Sequence, residues 1–177
     1  MTTPLVLTFV GRDRPGLVNA IAERVAGAGG TWLESRLVRL AGEFAGVVLV
    51  AAPPDTFEAL AATLAGLETA GLRVTISPSE KAAAAPSERL IRLSIVGAER
   101  PGIVRDVTQA LTRLGVNIEE FVSGVEGEPF TGAELFRAAL RIRLPDGLAV
   151  DELRKTLERL AAEIMVDLSV GEGEAVG

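Results

Sequence analysis

One stretch of this chain occurs twice. Val10-Gly11-Arg12-Asp13-Arg14-Pro15-Gly16-Leu17-Val18 returns 86 positions later as Val96-Gly97-Ala98-Glu99-Arg100-Pro101-Gly102-Ile103-Val104, with six of the nine residues identical. Asp13/Glu99 and Leu17/Ile103 keep their chemistry, whereas Arg12/Ala98 does not. The register then runs on without a gap, so that Gly29 meets Gly115 and Glu34 meets Glu120. Agreement in one short motif arises easily by chance; agreement held through the following helix does not. A length of 177 residues accommodates one large or two small domains, and the repeat selects two copies of one small unit.

Each copy reads in the same order. Residues 5–10 and 90–96 alternate or run apolar as buried strands do. An Arg-Pro-Gly turn follows, with proline suited to the first helical position because its missing N–H has no intrahelical partner there. Leu17, Val18, Ile21 and Val25 then fall at helical spacing, as do Ile103, Val104, Val107, Leu111 and Leu114. Gly29 and Gly115 are placed to stop these helices. Two strands come next, residues 31–40 and 44–52 in the first copy and 116–122 and 133–144 in the second. Ala41-Gly42-Glu43 is short enough for a hairpin; the second joint is longer and includes residues 126–132. Second helices carry Phe57, Leu60, Leu64 and Leu67, then Val150, Leu153, Leu157 and Leu160. Residues 72–77 and 164–170 read as final strands.

The order βαββαβ predicts an α+β protein of two ferredoxin-like units, each an antiparallel four-stranded sheet with two helices on one face. The assignment is domain 1 at 1–78, a linker rich in alanine and proline at 79–88, domain 2 at 89–171 and a tail at 172–177.

Composition narrows the chemistry. There is no cysteine, histidine or tyrosine, which removes disulfides, thiolate nucleophiles and the commonest general base and metal ligand. Neither a metal site, a cofactor nor a catalytic residue is expected. Residues 1–80 carry a net charge of −2 and residues 89–177 one of −4, so neither half is a basic module and direct nucleic-acid binding is disfavoured. A mean hydropathy of +0.34 predicts a packed core. No apolar run approaches the ~20 residues that span a bilayer, and Met1-Thr2-Thr3-Pro4 opens no secretory signal. A cytoplasmic protein is the expectation.

Asp13-Arg14-Pro15-Gly16-Leu17-Val18 and Glu99-Arg100-Pro101-Gly102-Ile103-Val104 resemble the turn between first strand and first helix of ACT domains, small folds that bind amino acids. Gly115-Val116-Asn117-Ile118 is similar to that family's entry into its second strand. The likeness covers nearly the whole chain apart from linker and tail. Trp32-Leu33-Glu34-Ser35-Arg36-Leu37 and Phe130-Thr131-Gly132 further resemble the glycine cleavage system transcriptional repressor family, whose members are two ACT domains with little else. The resemblance implies a non-enzymatic regulator that binds a small amino acid, with glycine favoured. It would act on a protein partner such as a transcription regulator. Homodimerisation is compatible with this pattern.

The candidate site follows from the turns. Residues 11–16 and 97–102 lead into helix N-termini, where unpartnered N–H groups and the helix dipole would stabilise an amino-acid carboxylate. Gly11, Gly16, Gly97 and Gly102 would let the ligand approach the backbone. Arg14 and Arg100 stand in the same turns. Asp13, Glu99 or the Asn117 side-chain oxygen would accept from the ammonium. Blander readings stand beside these: Arg-Pro-Gly as helix-start chemistry, Asn117 as a turn cap, Glu34-Ser35-Arg36 as an exposed strand face, Trp32 as core or interface. The copies also differ, since Thr31 stands where the second copy has Asn117 and Ala98 where the first has Arg12. Their affinities or ligands should differ, or one copy should be structural. The alternative function is a ligand-free protein-interaction module.

Overall fold

In a computed structural model, which describes residues 2–79, 89–127 and 132–172, the first apolar alternation becomes β1 (Thr3–Arg12). It buries Leu5, Leu7 and Phe9 and turns Thr8 and Val10 outward. The rest of the first copy is α1 (Leu17–Gly27), β2 (Thr31–Leu40), β3 (Glu43–Ala52), α2 (Phe57–Ala65) and β4 (Leu72–Pro78). Short 3-10 segments at Pro54–Thr56 and Gly66–Ala70 flank α2. The second copy repeats the series as β5 (Leu90–Ala98), α3 (Ile103–Arg113), β6 (Asn117–Gly127), β7 (Glu134–Arg143), α4 (Val150–Ile164) and β8 (Val166–Glu172).

The sheets have the strand orders β2-β3-β1-β4 and β6-β7-β5-β8, and the neighbouring strands run antiparallel. Each unit is therefore the ferredoxin-like arrangement that the element order predicts. Two compact units result, residues 1–84 and 85–177. Of the expected linker only Ser79 lies among the described residues, and of the expected tail only Glu172.

One face of each sheet is covered by its helices. Leu5, Leu7, Phe9, Leu17, Ile21 and Val25 are buried in the first unit; their partners 86 positions on, Ile91, Leu93, Ile95, Ile103, Val107 and Leu111, are buried in the second. Each such side chain contributes about 1.5–3 kcal/mol on burial, so matched positions hold the two backbones to one plan. The correspondence extends to an irregularity. The β2–β3 register slips between Trp32 and Glu34, and the β6–β7 register between Ile118 and Glu120. The extra residue lets Trp32 and Ile118 pack against the cores while Glu34 and Glu120 face outward.

Four local expectations are corrected. The helices begin at Leu17 and Ile103, behind Gly16 and Gly102 at φ 90, so Pro15 and Pro101 sit in the turn rather than at the first helical position. Val18 and Val104 are 39% and 41% exposed; the buried stripe takes every fourth residue and passes them by. Helix α4 runs on through buried Ile164, and left-handed Met165 (φ 54) ends it, so β8 starts only at Val166. Strand β6 continues to Gly127 because it stays paired with β7 as far as Glu134. The hairpin at Ala41 and Gly42 is a two-residue turn with both φ positive, 50 and 84, matching strand twist.

Glycine at position 11 is fixed by packing. A Cβ there would strike the Gly71 carbonyl oxygen and lie 3.0 Å from Leu72 Cα, both backbone atoms that cannot swing away. Around Gly16 nothing lies within 4 Å of the same construction, so only its φ of +90 resists a side chain. Gly11→Ala should lower stability in urea unfolding by about 1–3 kcal/mol through overpacking, and Gly16→Ala by about 1 kcal/mol through left-handed strain. A smaller loss at Gly11 than at Gly16 would mean that β4 does not close on β1 as described.

Candidate functional site

Both turns are fastened to the hairpin beside them. The Asp13 N–H donates to the Gly42 carbonyl at 2.9 Å, and the Glu99 N–H to the Glu134 carbonyl at 2.9 Å. In the first copy Asp13 Oδ2 also pairs with Arg39 Nε of β2 at 2.5 Å. Arg14 Nη2 donates to the Ala70 carbonyl at 2.9 Å, across to the end of the 3-10 segment before β4. That single bond leaves the guanidinium's other N–H groups available. Gly16 is exposed and open above.

The second turn is closed by its own side chains. Arg100 Nη2 reaches Asp106 Oδ2 at 2.7 Å, while Arg105 places Nη2 and Nε at 2.9 and 3.0 Å from Asp106 Oδ1. Arg100, and then Arg105, hold the Asp106 carboxyl below its ordinary pKa. The Arg105 guanidinium lies 3.2 Å from where a Gly102 Cβ would stand, covering that glycine. Position 106 in the second copy is Ala20 in the first, and position 105 is Asn19. Neither Asp106 nor Arg105 was singled out by motif; comparing the copies beyond the Arg-Pro-Gly turn carries the signal.

Gly11 and Gly97 do not face a ligand on their buried side. There the close approach is made by the chain itself: the start of β4 at Gly11, and Val166 of β8, whose Cγ1 would be 2.5 Å from a Gly97 Cβ. Asn117 stands apart as well. It pairs with Arg143 at one end of β7, whereas Gly97 pairs with Phe136 near the other, a separation of about 24 Å at ~3.4 Å per residue. Its Nδ2 donates to Glu119 Oε1 at 2.5 Å, and that carboxylate also meets Arg143 Nη2 at 3.1 Å. Within one domain, then, Asn117 cannot accept from the ammonium of a small amino acid whose carboxylate lies at the turn 97–102. The turn in each copy brings together the glycine N-cap, its arginine and its acidic residue, and leaves Asn117 at the far end of the sheet. Of Phe130-Thr131-Gly132, the first two residues lie outside those described.

Other concavities are shallow. A groove of about 620 Å³ beside the first turn is lined by Val10, Gly11, Arg12, Glu43, Glu68, Gly71 and Arg73, and excludes Asp13, Arg14 and Gly16. Among the described residues no group of three or more acidic side chains could hold a metal ion. Nor is any helix there long and apolar enough to cross a membrane.

Comparison with known proteins accords with this architecture. Residues 3–77 and residues 91–161 each match the ACT domain. The chain is 31% identical over 172 residues to phosphoserine phosphatase SerB2 of Mycobacterium tuberculosis, covering 94% of this chain and 40% of that one. It thus spans well under half the length of that relative. It is 24% identical over 168 residues to the glycine cleavage system transcriptional repressor of Escherichia coli, covering 94% and 88%. Among solved structures, an unknown protein from Galdieria sulphuraria superposes with a TM-score of 0.88 at 28% identity, over 98% of this chain and 100% of that one. A structure described as a glycine cleavage system transcriptional repressor shares the fold with a TM-score of 0.75 at 20% identity, over 99% of each. With the same domain matched in both halves and the same topology built twice, the chain belongs to the ACT-domain family, as two ACT domains in tandem homologous to the glycine cleavage system transcriptional repressor.

Proposed function

We propose that this protein is a non-enzymatic regulator, working in the cytoplasm, that binds a small amino acid at a strand-to-helix turn and thereby changes its contact with a protein partner. The observation that carries this reading is the duplicated turn: twice a strand ends in an acidic residue, an arginine and a left-handed glycine that opens a helix. Backbone N–H groups of the first helical turn and a guanidinium are suited to a carboxylate, and a nearby acidic oxygen to an ammonium. The relatives' names place this unit beside a phosphoserine phosphatase and a glycine cleavage repressor, which makes glycine and serine the first ligands to try. A transcription regulator is the partner class that the repressor homology favours. A chain without His, Cys or Tyr lacks the commonest general base and every thiol nucleophile, and the phosphatase likeness is read as a shared regulatory portion.

The copies are unequal in this role. Asp106 supplies the second turn with a carboxylate of its own, already bound by Arg100 and Arg105; Ala20 leaves the first turn without one. The first copy is therefore the ligand site of this proposal, with Arg14, Gly16 and Asp13 as its residues. The second reading, a ligand-free interaction module, is favoured by one observation: Asp13, Arg100 and Asn117 all have internal partners.

Calorimetric titration should give saturable binding of glycine or serine, weakened at least tenfold by Arg14→Ala and unchanged by Arg100→Ala. The converse pattern would move the site to the second copy. Absence of binding by every amino acid to folded protein would favour the ligand-free module. Acid titration of stability tests the Asp106 cluster. Because its folded pKa lies below its unfolded one, the stabilisation is present above the ordinary carboxylate range and lost as pH falls through the depressed value. Between pH 5 and pH 2 the melting temperature of the wild type should fall towards that of Asp106→Asn. A constant gap would mean that the pair does not titrate with folding.

A further inference from the structure

The open face of the second sheet sets two arginines directly against each other. Arg92 of β5 and Arg141 of β7 are register partners. Both lie on the side that the helices leave uncovered, because their neighbours Ile91, Leu93, Leu140 and Ile142 fill the core. Like charges opposite one another on adjacent strands, ~4.8 Å apart, weaken a sheet. The chain itself offsets them poorly. Glu120 Oε2 stands 3.6 Å from Arg141 Nη1, beyond good hydrogen-bond reach. Arg141 Nε is buried and has no partner, and among the described residues Arg92 makes no ion pair or side-chain hydrogen bond. Buried donors without acceptors are few in folded proteins, and each calls for an explanation. Further donors stand beside the pair. Ser94, two residues along β5 on the same face, is opposite Ser169 of β8, and neither hydroxyl has a partner among the described residues. Gly171 is opposite Arg92, and nothing lies within 4 Å of where its Cβ would stand. The surface next to the guanidiniums is therefore bare. In the first unit the positions of Arg92, Arg141 and Gly171 hold Val6, Leu49 and Ser77, so no cation occurs there.

We propose that Arg92, Arg141, Ser94 and Ser169 form a site for the phosphate group of a small molecule on the open face of the second ACT domain. A phosphate placed over Arg92 and Arg141 replaces their mutual repulsion with two charge-assisted contacts and gives Arg141 Nε an acceptor. The donor set selects phosphate over carboxylate. One carboxylate has two oxygens and a single charge, which one guanidinium fork satisfies. Two forks and two hydroxyls, arriving from three strands, match three terminal oxygens that carry nearly two charges. The acidic residues flank this arrangement without filling it: Glu120 is on the far side of Arg141, and Asp167 is opposite Val96, one row beyond Ser169. Arg14 and Gly16 take no part, so the proposal stands or falls apart from the amino-acid reading of the first turn.

The test is calorimetric titration of the full-length protein, in phosphate-free buffer, with inorganic phosphate, O-phosphoserine and serine. One phosphate group should bind saturably per chain. Affinity should fall at least tenfold in Arg92→Ala and in Arg141→Gln, and stay unchanged in Arg14→Ala. Circular dichroism checks that the variants fold; Arg92 is exposed, so Arg92→Ala decides alone if Arg141→Gln does not. O-phosphoserine binding more tightly than inorganic phosphate supports a site that also reads the molecule carrying the group, and equal binding supports one that reads the phosphate by itself. Failure of both to saturate the folded wild type overturns the proposal, as does binding that Arg92→Ala leaves intact. Serine competing equally for the same residues would overturn it too, and make them an amino-acid site.

Discussion

Everything in each unit depends on burying one face of the strand pair β1 and β3, or β5 and β7, beneath two helices. In the first unit Leu5, Leu7 and Phe9 alternate along β1, and Val48, Val50 and Ala52 along β3. Because side chains alternate with period two, this choice of buried face also decides which residues look outward. It fixes where β1 must end, and hence where the turn into α1 stands. It also requires glycine at positions 11 and 97, since β4 and β8 approach β1 and β5 too closely there for any side chain. The turn and the uncovered face are consequences of one packing constraint.

Duplication preserves that constraint and releases the rest. Positions 86 apart agree where they are buried and where the backbone is unusual: the left-handed glycines 16 and 102, the left-handed glycines 29 and 115, and the slips near residues 33 and 119. They diverge where side chains meet solvent. Asp106 and Arg105 replace Ala20 and Asn19, and on the open face Arg92, Arg137 and Arg141 stand where the first copy has Val6, Ala45 and Leu49. Core positions leave little freedom because a lost methylene costs about 1 kcal/mol; surface positions carry no such penalty, so one copy can specialise while the other keeps the scaffold.

The sequence makes the fold legible because period-two and period-four patterns are local, and the repeat supplies each pattern twice. It is less informative about the site, for physical reasons visible in single residues. Asn117 lies two residues after Gly115 and reads like part of a turn site, yet β6 begins at the end of the sheet opposite to the Arg-Pro-Gly turn, which no local pattern reveals. Gly11 and Gly16 are alike in sequence, but one is closed by a neighbouring strand and the other is open. Pairings such as Asp13 with Arg39 depend on which strands become neighbours. Asp106 was within reach of sequence reasoning, since aligning the copies beyond Arg-Pro-Gly sets a carboxylate against an alanine.

The turn and the β2–β3 hairpin are mechanically connected. Asp13 holds the hairpin of β2 and β3 twice, by its N–H to Gly42 and by its carboxylate to Arg39. Arg39 lies between Val38 and Leu40, two of the most exposed apolar residues of the open face. In the proposed site a ligand ammonium at Asp13 would compete with the Arg39 guanidinium for the same carboxylate, and so would act on β2. A ligand shifts an equilibrium between two states only by binding one of them better than the other. Under the proposed function that differential contact would be the Asp13–Arg39 pair, intact without ligand and exchanged for it on binding. No change in the core is required, because the hairpin extends beyond the buried rows, and its Ala41-Gly42 tip is exposed.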